Sequence, residues 1–275
     1  MKKPFSLIFI LFFLVIPPGF AQLFTVHPER EIGQAEIIVT YMKTFQRDSL
    51  DPRKRSEKMT LLIGENVSSF FSEPHERARI AARSFKNQAD LLAWANNSAN
   101  TRRVYFLYRV FKNYPEGEIT TIEHSFDGHF LYTENLQLFD WEISGATDSI
   151  SGYKVQKATT NFSGRDWVAW FTPEIPYNEG PFKFNGLPGL ILKIHDTRNH
   201  YSFEVVSIEI PEEKTPIYFT EKTYIKTTKA GWFRAWESFR TGFTGRTDIV
   251  PDSHTRNVMS DRMQRDNNPI ELIVD

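Results

Sequence analysis

The clearest evidence for the fold lies in residues 153–194, which read YKVQKATTNFSGRDWVAWFTPEIPYNEGPFKFNGLPGLILKI. Tyr153–Phe162 and Asp166–Thr172 are rich in apolar and β-branched residues and flank a Ser-Gly turn, which is typical of paired strands. Leu190–His195 is a further apolar strand that follows a run of glycine and proline. This stretch predicts antiparallel strands joined by short turns.

The same rhythm continues on both sides of this stretch. Glu36–Phe45 alternates apolar and polar residues, and Met59–Gly64 follows a charged turn as a second apolar strand. Further strands are predicted at Val104–Phe111, Ile119–His124, His129–Thr133, Leu138–Ile143, Tyr201–Ile210 and Ile217–Tyr224, with a hairpin turn at Asp196–Asn199. We predict a mainly β, β-rich α+β protein, built as a curved antiparallel sheet or a partly open barrel.

Two segments have helical periodicity instead. Ser72 is a candidate N-cap for a helix that has Pro74 in its first turn and continues to Asn97. Apolar residues also recur at i, i+3, i+4 and i+7 between Trp232 and Phe239, and a polar segment follows at Arg246–Asn268. We therefore expect one helix packed near the sheet and short C-terminal helical segments.

The N-terminus has the pattern of a secretory signal peptide. Lys2 and Lys3 precede an apolar run at Phe5–Ile16, and small residues follow it. That run has 12 residues, too few for a helix to cross a hydrocarbon core about 30 Å thick. We predict a signal peptide at 1–21, one β-rich domain at 22–275, and no transmembrane anchor after cleavage.

Composition narrows the classes of function. The formal net charge is −1, so the chain lacks the positive field that collects nucleic acid. It has 24 phenylalanines, enough for an aromatic core, and no cysteine, so neither a disulfide nor a thiolate metal site can form. We predict no cofactor.

The central stretch resembles the GLPGLI family, exported proteins of the Bacteroidetes named for the hexapeptide that stands here at Gly186–Ile191. Similar spacing extends to the tail, Asn267–Leu272. The other residues that carry the resemblance are Lys157-Ala158, Gly164-Arg165, Ala169–Thr172, Ile175-Pro176, Gly180-Pro181, Lys183-Phe184, Leu61–Gly64 and Ser69-Phe70.

The resemblance implies an address in the cell envelope and a β-rich fold, but no activity. Some members are encoded near TonB-dependent outer-membrane receptors, which implies a function linked to nutrient uptake or to such a receptor. Val155 stands where the family pattern often has a cysteine, which argues against a redox or disulfide role.

The hexapeptide itself predicts a turn. Pro188 fixes its own φ near −65° and favours an extended Leu187, while Gly189 can adopt the positive φ that a type II turn needs. Gly186 has no Cβ, so a backbone, a tryptophan face or a ligand can approach it. Two interpretations follow: a buried corner with Leu187, Leu190 and Ile191 in the core, or a groove for a ligand beside Gly186, Pro188 and Gly189.

Lys157, Arg165 and Trp170 lie on neighbouring predicted strands and form a second candidate site. Together they could place a cation over an indole or hold an anionic ligand. The alternative is structural, with the aliphatic stems of the lysine and arginine packed over Trp167 or Trp170. Trp167 and Trp170 share a face only if their strand bulges.

Metal and catalytic motifs are weaker. His124 and His129 are close in sequence, and His195 and His200 flank a turn, but no HExxH or similar motif completes a zinc site, so we predict no metal site. There is no nucleophile motif. Four carboxylates are candidates for acid/base chemistry: Asp140, Glu142, Asp166 and Glu174.

These observations favour an exported, periplasmic or outer-membrane-associated protein that is not an enzyme. It would bind an unknown small ligand or an envelope protein such as an outer-membrane receptor, near the hexapeptide. The alternative is a hydrolase of envelope or imported polymer whose carboxylates are brought together by the fold.

Overall fold

The computed structural model describes residues 27–97, 104–125 and 127–272, so the predicted signal peptide lies outside the described residues. Within these ranges thirteen strands form one sheet. The strands are β1 (Glu29–Gln46), β2 (Lys54–Gly64), β3 (Ser68–Ser72), β4 (Arg109–Lys112), β5 (Glu118–Ser125), β6 (Gly128–Asn135), β7 (Glu142–Ile150), β8 (Tyr153–Phe162), β9 (Arg165–Thr172), β10 (Leu190–Asp196), β11 (Tyr201–Glu209), β12 (Thr215–Thr220) and β13 (Ile225–Lys226). The helices are α1 (Glu73–Ala82), α2 (Gln88–Ala95), α3 (Lys229–Gly242) and α4 (Ser253–Gln264), with a 3₁₀ turn at Phe243–Gly245.

The sheet is open, and its order is β13-β6-β5-β4-β3-β2-β1-β11-β10-β9-β8-β7. β12 pairs with the first part of β1, and β11 pairs with the second part. All pairings are antiparallel except that of β13 with β6, which makes the sheet mixed. The prediction of a mainly β fold is confirmed, and the sheet does not close into a barrel.

The alternation in β9 determines which side chains enter the largest core cluster. β8 and β9 pair without a break from Gln156 opposite Phe171 to Phe162 opposite Arg165. Trp167 is therefore buried, while Trp170 is half-buried on the opposite face. The register shift lies between Ile191 and Lys193 of β10 instead.

The predicted long helix is two shorter ones. Ser72 is the N-cap of α1 as predicted, and its hydroxyl accepts a hydrogen bond from the His75 backbone N–H at 3.2 Å. The helix ends where the Ser84 hydroxyl donates to the Ala81 carbonyl at 2.7 Å, a bond that competes with the helical ladder. Asn87 then caps α2 by accepting from the Asp90 backbone N–H at 3.1 Å. Two polar side chains thus interrupt the apolar periodicity.

Two predicted strands are wrong over most of their length. Val104–Phe111 forms a strand only at its end, in β4. Leu138–Ile143 is irregular up to Trp141, because the Asn135 side chain accepts from the Gln137 backbone N–H at 2.8 Å and turns the chain. Leu138, Phe139 and Trp141 still pack against the core, so the apolar pattern of this segment reflected burial rather than a strand.

The helix predicted around Trp232 is confirmed as α3, where Trp232 packs on Phe130 of β6 with ring centroids 5.0 Å apart. The polar segment Arg246–Asn268 contains α4, as expected from the prediction of short C-terminal helical segments. After α4 the chain returns to the sheet, where the Leu272 backbone N–H donates to the Ser163 carbonyl at 2.8 Å. None of the helices in the described ranges is long and apolar enough to cross a membrane.

Candidate functional site

Four histidines line a cavity of about 60 Å³ at one end of the sheet, which we call the histidine pocket (His27, His75, His124 and His129). It lies between the start of β1, helix α1, the β5–β6 hairpin and the segment that follows β12. The charged and phenolic residues of its walls are Glu76, Arg79, Arg83, Arg109, Lys222, Tyr108 and Tyr224.

Local structure explains how three of the rings meet. The Ser72 cap places His75 in the first turn of α1. His124 and His129 are directly opposite each other in the β5–β6 hairpin, so their side chains point to the same face. Their Nδ1 atoms are 2.9 Å apart, and the ring centroid of His75 lies 5.7 Å from that of His124.

The segment after β12 closes the pocket and carries Lys222. The Glu221 backbone N–H donates to the Pro28 carbonyl at 2.7 Å, which joins this segment to the residues just before β1. The Tyr224 hydroxyl donates to the Thr220 carbonyl at 2.7 Å. These two bonds position the segment that carries Lys222, which lines the pocket.

Two carboxylates in this region are saturated by three arginines. Glu76 pairs with Arg79 and with Arg109, each at 2.6 Å. Glu29 pairs with Arg79 and Arg83. Desolvation alone would raise the pKa of Glu76, but Arg109 and Arg79 outweigh it and lower that pKa to about 2.

Lys222 is a further positive charge without a carboxylate. It makes no hydrogen bond or ion pair with any residue in the described ranges, and its nearest aromatic contact is Tyr224, with Nζ 5.7 Å from the ring centroid. Desolvation and the positive charges of Arg79 and Arg109 lower the pKa of Lys222 to about 8. Lys222 and the three arginines carry four positive charges, and the two carboxylates carry two negative charges, so the region has an excess of two positive charges.

The imidazoles of the pocket are neutral at neutral pH. Desolvation is the largest cause and lowers the pKa of His75 and of His129 to about 4 each. The pKa of His124 is also lowered, by desolvation and then by the positive charge of Lys222. Burial and nearby positive charges both lower the pKa of these histidines, because each disfavours the protonated ring.

Neutral imidazoles are also the form that binds metals, but this arrangement favours an anion. Within the parts of the chain that the structure describes, no group of three or more histidine, aspartate or glutamate side chains is placed to hold a metal ion. Lys222 and Arg109 in the walls would repel a metal cation. Their N–H groups would instead donate to a negatively charged ligand.

The structure brings only two of the residues of the second candidate site together. Lys157 and Trp170 are opposite each other in β8 and β9, half-buried on the outer face of the sheet. Arg165 points to the other face, because it is an odd number of residues from Trp170 along an unbroken strand. That Lys157 and Trp170 bind a ligand stays a prediction.

The guanidinium of Arg165 is fully buried and fixes the C-terminal segment. It pairs with Asp196 at 2.9 Å and donates to the Ile270 and Pro269 carbonyls at 3.0 and 2.6 Å. It also donates to the Asn268 side chain at 2.7 Å. These bonds occupy its donors within the chain, which fits a structural role for Arg165.

The hexapeptide forms a corner with a different turn from the one expected. Gly189 has φ +146°, so the predicted positive φ is confirmed. The Gly189 N–H donates to the Leu187 carbonyl at 2.8 Å, which makes a three-residue turn around Pro188, while the Leu190 N–H donates to Ile175 rather than closing a type II turn. The cause is the turn that follows β9, where the Ile175 carbonyl accepts from the Leu190 N–H at 3.0 Å.

The side chains around this corner follow the structural interpretation. Leu187, Leu190 and Ile191 are buried in the largest core cluster, while Gly186 and Pro188 are exposed. The indole of Trp141 lies beside Gly186 and donates to the Asn185 carbonyl at 2.8 Å. Ligand binding at this exposed edge stays a prediction.

The other candidates from the sequence lie apart from the histidine pocket. His195 is opposite Ser202 in the hairpin, so it does not face His200. The four candidate carboxylates, Asp140, Glu142, Asp166 and Glu174, are exposed, and none of them lines the pocket.

Comparison with known proteins gives a family match and two similar folds. Residues 163–193 match a family described as proteins of unknown function (Porph_ging). This stretch covers β9, the corner and most of β10, and it contains no residue of the histidine pocket. The chain matches no curated protein sequence.

Two structures of PNGF-II, in the P21 and C2 space groups, are similar to part of this chain. Both are 14% identical in sequence, with TM-scores of 0.46 and 0.49 over 72% and 73% of this chain. The similar part is 32% of each PNGF-II chain, so this chain spans about a third of the PNGF-II length.

Sequence analysis missed most of the histidine pocket. Only the short spacing of His124 and His129 was a signal, and it was considered for metal binding alone. His75, Arg109 and Lys222 come from three other elements, and no local pattern joins them.

Proposed function

We propose that this chain is an exported envelope protein that binds a small oxyanion in the histidine pocket. The observation that carries the proposal is Lys222, an ammonium group that faces a cavity with excess positive charge and has no counter-ion among the described residues. An anion would pair with Lys222 and remove the repulsion that it feels from Arg79 and Arg109.

The size of the cavity limits the ligand. Its volume is about 60 Å³, and one water molecule needs roughly 10 to 15 Å³ of such space, so about four to six non-hydrogen atoms fit. A carboxylate, sulfate or phosphate group has that size, whereas a whole sugar ring is too large.

Export and the envelope address rest on different observations. They are supported by the signal-peptide pattern at 1–21 and by the resemblance to the GLPGLI family. The same resemblance supports a place beside TonB-dependent uptake. We propose binding rather than catalysis because the sequence has no nucleophile motif such as GxSxG.

The test is a thermal-unfolding screen of the full-length mature chain with sodium salts of acetate, sulfate and phosphate in a Tris buffer. A ligand that binds only the folded state raises Tm. The matched variants are Lys222→Met in the pocket and Lys226→Met, an exposed lysine four residues further on.

We expect at least one oxyanion to raise Tm in the unaltered chain and in Lys226→Met. In Lys222→Met the affinity should fall by about 10- to 100-fold, since a charge-assisted hydrogen bond contributes about 1.5 to 3 kcal/mol. The proposal is wrong if no small anion binds, if both variants bind alike, or if Zn²⁺ binds at the four histidines in preference to every anion.

A further inference from the structure

The contact between His124 and His129 determines where the protons of this pair lie. Their Nδ1 atoms are 2.9 Å apart, a hydrogen-bond distance in which one ring must donate and the other accept. Two protonated Nδ1 atoms cannot face each other at this separation. At least one ring is therefore neutral by geometry alone.

A neutral imidazole has one N–H and one bare nitrogen. The ring that donates from Nδ1 therefore has a bare Nε2, which accepts. The ring that accepts at Nδ1 has its proton on Nε2, which donates. The His124–His129 pair thus has one donor and one acceptor remaining, and both residues line the pocket.

The other polar groups of the walls are mainly donors. The Lys222 ammonium has three N–H donors and no acceptor, and it has no partner within the described residues. The Glu76 carboxylate oxygens already accept from Arg79 and Arg109. The neutral rings of His27 and His75 can each turn either an N–H or a bare nitrogen to a ligand, whereas the His124–His129 pair always keeps one bare nitrogen. The pocket therefore combines strong donors with imidazole acceptors, of which the acceptor of the pair is fixed by geometry.

Ligands differ in whether they can satisfy that acceptor. Sulfate and acetate carry no proton at neutral pH, so their oxygens would face the bare imidazole nitrogen with lone pair against lone pair. Both forms of phosphate present at neutral pH have a P–OH group that can donate to it. An unpaired buried acceptor costs about 1 to 3 kcal/mol.

We infer that the histidine pocket selects a protonated tetrahedral oxyanion, a phosphate group, over sulfate and carboxylate. The Lys222 ammonium donates to its oxygens, and the bare nitrogen of the His124–His129 pair accepts from its hydroxyl. The inference rests on the proposed function and specifies its ligand. Inorganic phosphate fits this chemistry, whereas a phosphate monoester, with a second pKa of about 6, is mostly a dianion without a hydroxyl at neutral pH.

The experiment is isothermal titration of the full-length mature chain at pH 7 with inorganic phosphate, methyl phosphate, sulfate and acetate. We expect phosphate to bind at least about 10-fold more tightly than sulfate or acetate. Methyl phosphate is mostly a dianion without a P–OH group at pH 7, so we expect it to bind less tightly than inorganic phosphate. Equal binding of the two would show that the hydroxyl is not recognised and would overturn the inference.

Two matched variants separate selectivity from affinity. His124→Phe keeps an aromatic ring but removes the pair, so the preference for phosphate over sulfate should fall towards one. His75→Phe removes a pocket imidazole outside the pair, so it should weaken both ions alike and keep the preference. If His124→Phe does not fold, as judged by circular dichroism, His129→Phe makes the same test.

A measurement without ligand tests the proton positions directly. In ¹⁵N-edited NMR spectra of the imidazoles, one ring of the pair should be protonated at Nδ1 and the other at Nε2. Two Nε2–H tautomers, or equal affinity for sulfate and phosphate, would overturn this inference while leaving anion binding intact. Absence of binding by every anion would refute the proposed function itself.

Discussion

Replacing Gly189 by alanine should destabilise this protein more than replacing Gly117 or Gly145, where a Cβ would meet nothing within 4 Å. An ideal Cβ on Gly189 would lie 2.1 Å from the Thr172 carbonyl oxygen and 2.6 Å from its carbon. The atoms it meets belong to the backbone of the strand that pairs with β10, so no flexible side chain can move aside. The residue also has φ +146°, a conformation that residues with a Cβ rarely adopt and that costs them about 1 to 3 kcal/mol.

Two other glycines separate these contributions. Gly117 has φ +79°, and a Cβ there would meet nothing within 4 Å, so Gly117→Ala measures the cost of positive φ alone. Gly145 meets nothing and does not have a positive φ, so Gly145→Ala should stabilise the protein by about 0.5 kcal/mol through the less flexible unfolded chain. We expect about 1 kcal/mol for Gly117→Ala, after a gain of about 0.5 kcal/mol from the less flexible unfolded chain.

For Gly189→Ala the displaced backbone adds about 3 kcal/mol, the upper range for overpacking a core, for a total of about 4 kcal/mol. Urea unfolding followed by circular dichroism measures these values as changes in the free energy of unfolding. The reasoning is refuted if Gly189→Ala costs no more than Gly117→Ala, because the close approach to Thr172 would then contribute nothing.

Three further predictions concern single side chains. Arg165→Met should lower the free energy of unfolding by about 3 to 5 kcal/mol, because it leaves the buried Asp196 carboxylate unpaired. Limited proteolysis should then cleave near residues 266–272, which Arg165 holds in place. Resistance to proteolysis equal to that of the parent would count against a role of Arg165 in fixing the C-terminal segment. Glu76→Gln should reduce the free energy of unfolding by about 3 kcal/mol at pH 7 but by nearly nothing at pH 2. The reason is that the pKa of Glu76 is lowered from 4.5 to about 2 in the folded state, so its charge stabilises the fold above pH 4.5 and this gain is lost as the pH falls to about 2. A difference that does not depend on pH in chemical denaturation would contradict this prediction. Ser72→Ala should cost about 1 kcal/mol by removing the α1 cap and should shift the NMR signals of His75, whereas unchanged signals would mean that the cap does not position that ring.

Local chemistry was enough to predict much of the fold. Tyr153–Phe162 and Asp166–Thr172 were predicted as strands and form β8 and β9. The Ser72 cap and the positive φ of Gly189 were also predicted, because capping and glycine dihedral angles depend on neighbours in the chain. Leu138–Ile143 failed because burial of its apolar residues looks the same whether they are in a strand or an irregular segment.

The candidate site depended on contacts between distant segments. His75, His124 and Lys222 meet only after β5, α1 and the segment beyond β12 have taken their places around one end of the sheet. Arg165 looked available for a ligand, yet its donors are taken by a segment about 100 residues away. Backbone dihedral angles and alternation are local properties of the chain, whereas the partner of a charge is determined by which strands and helices pack together.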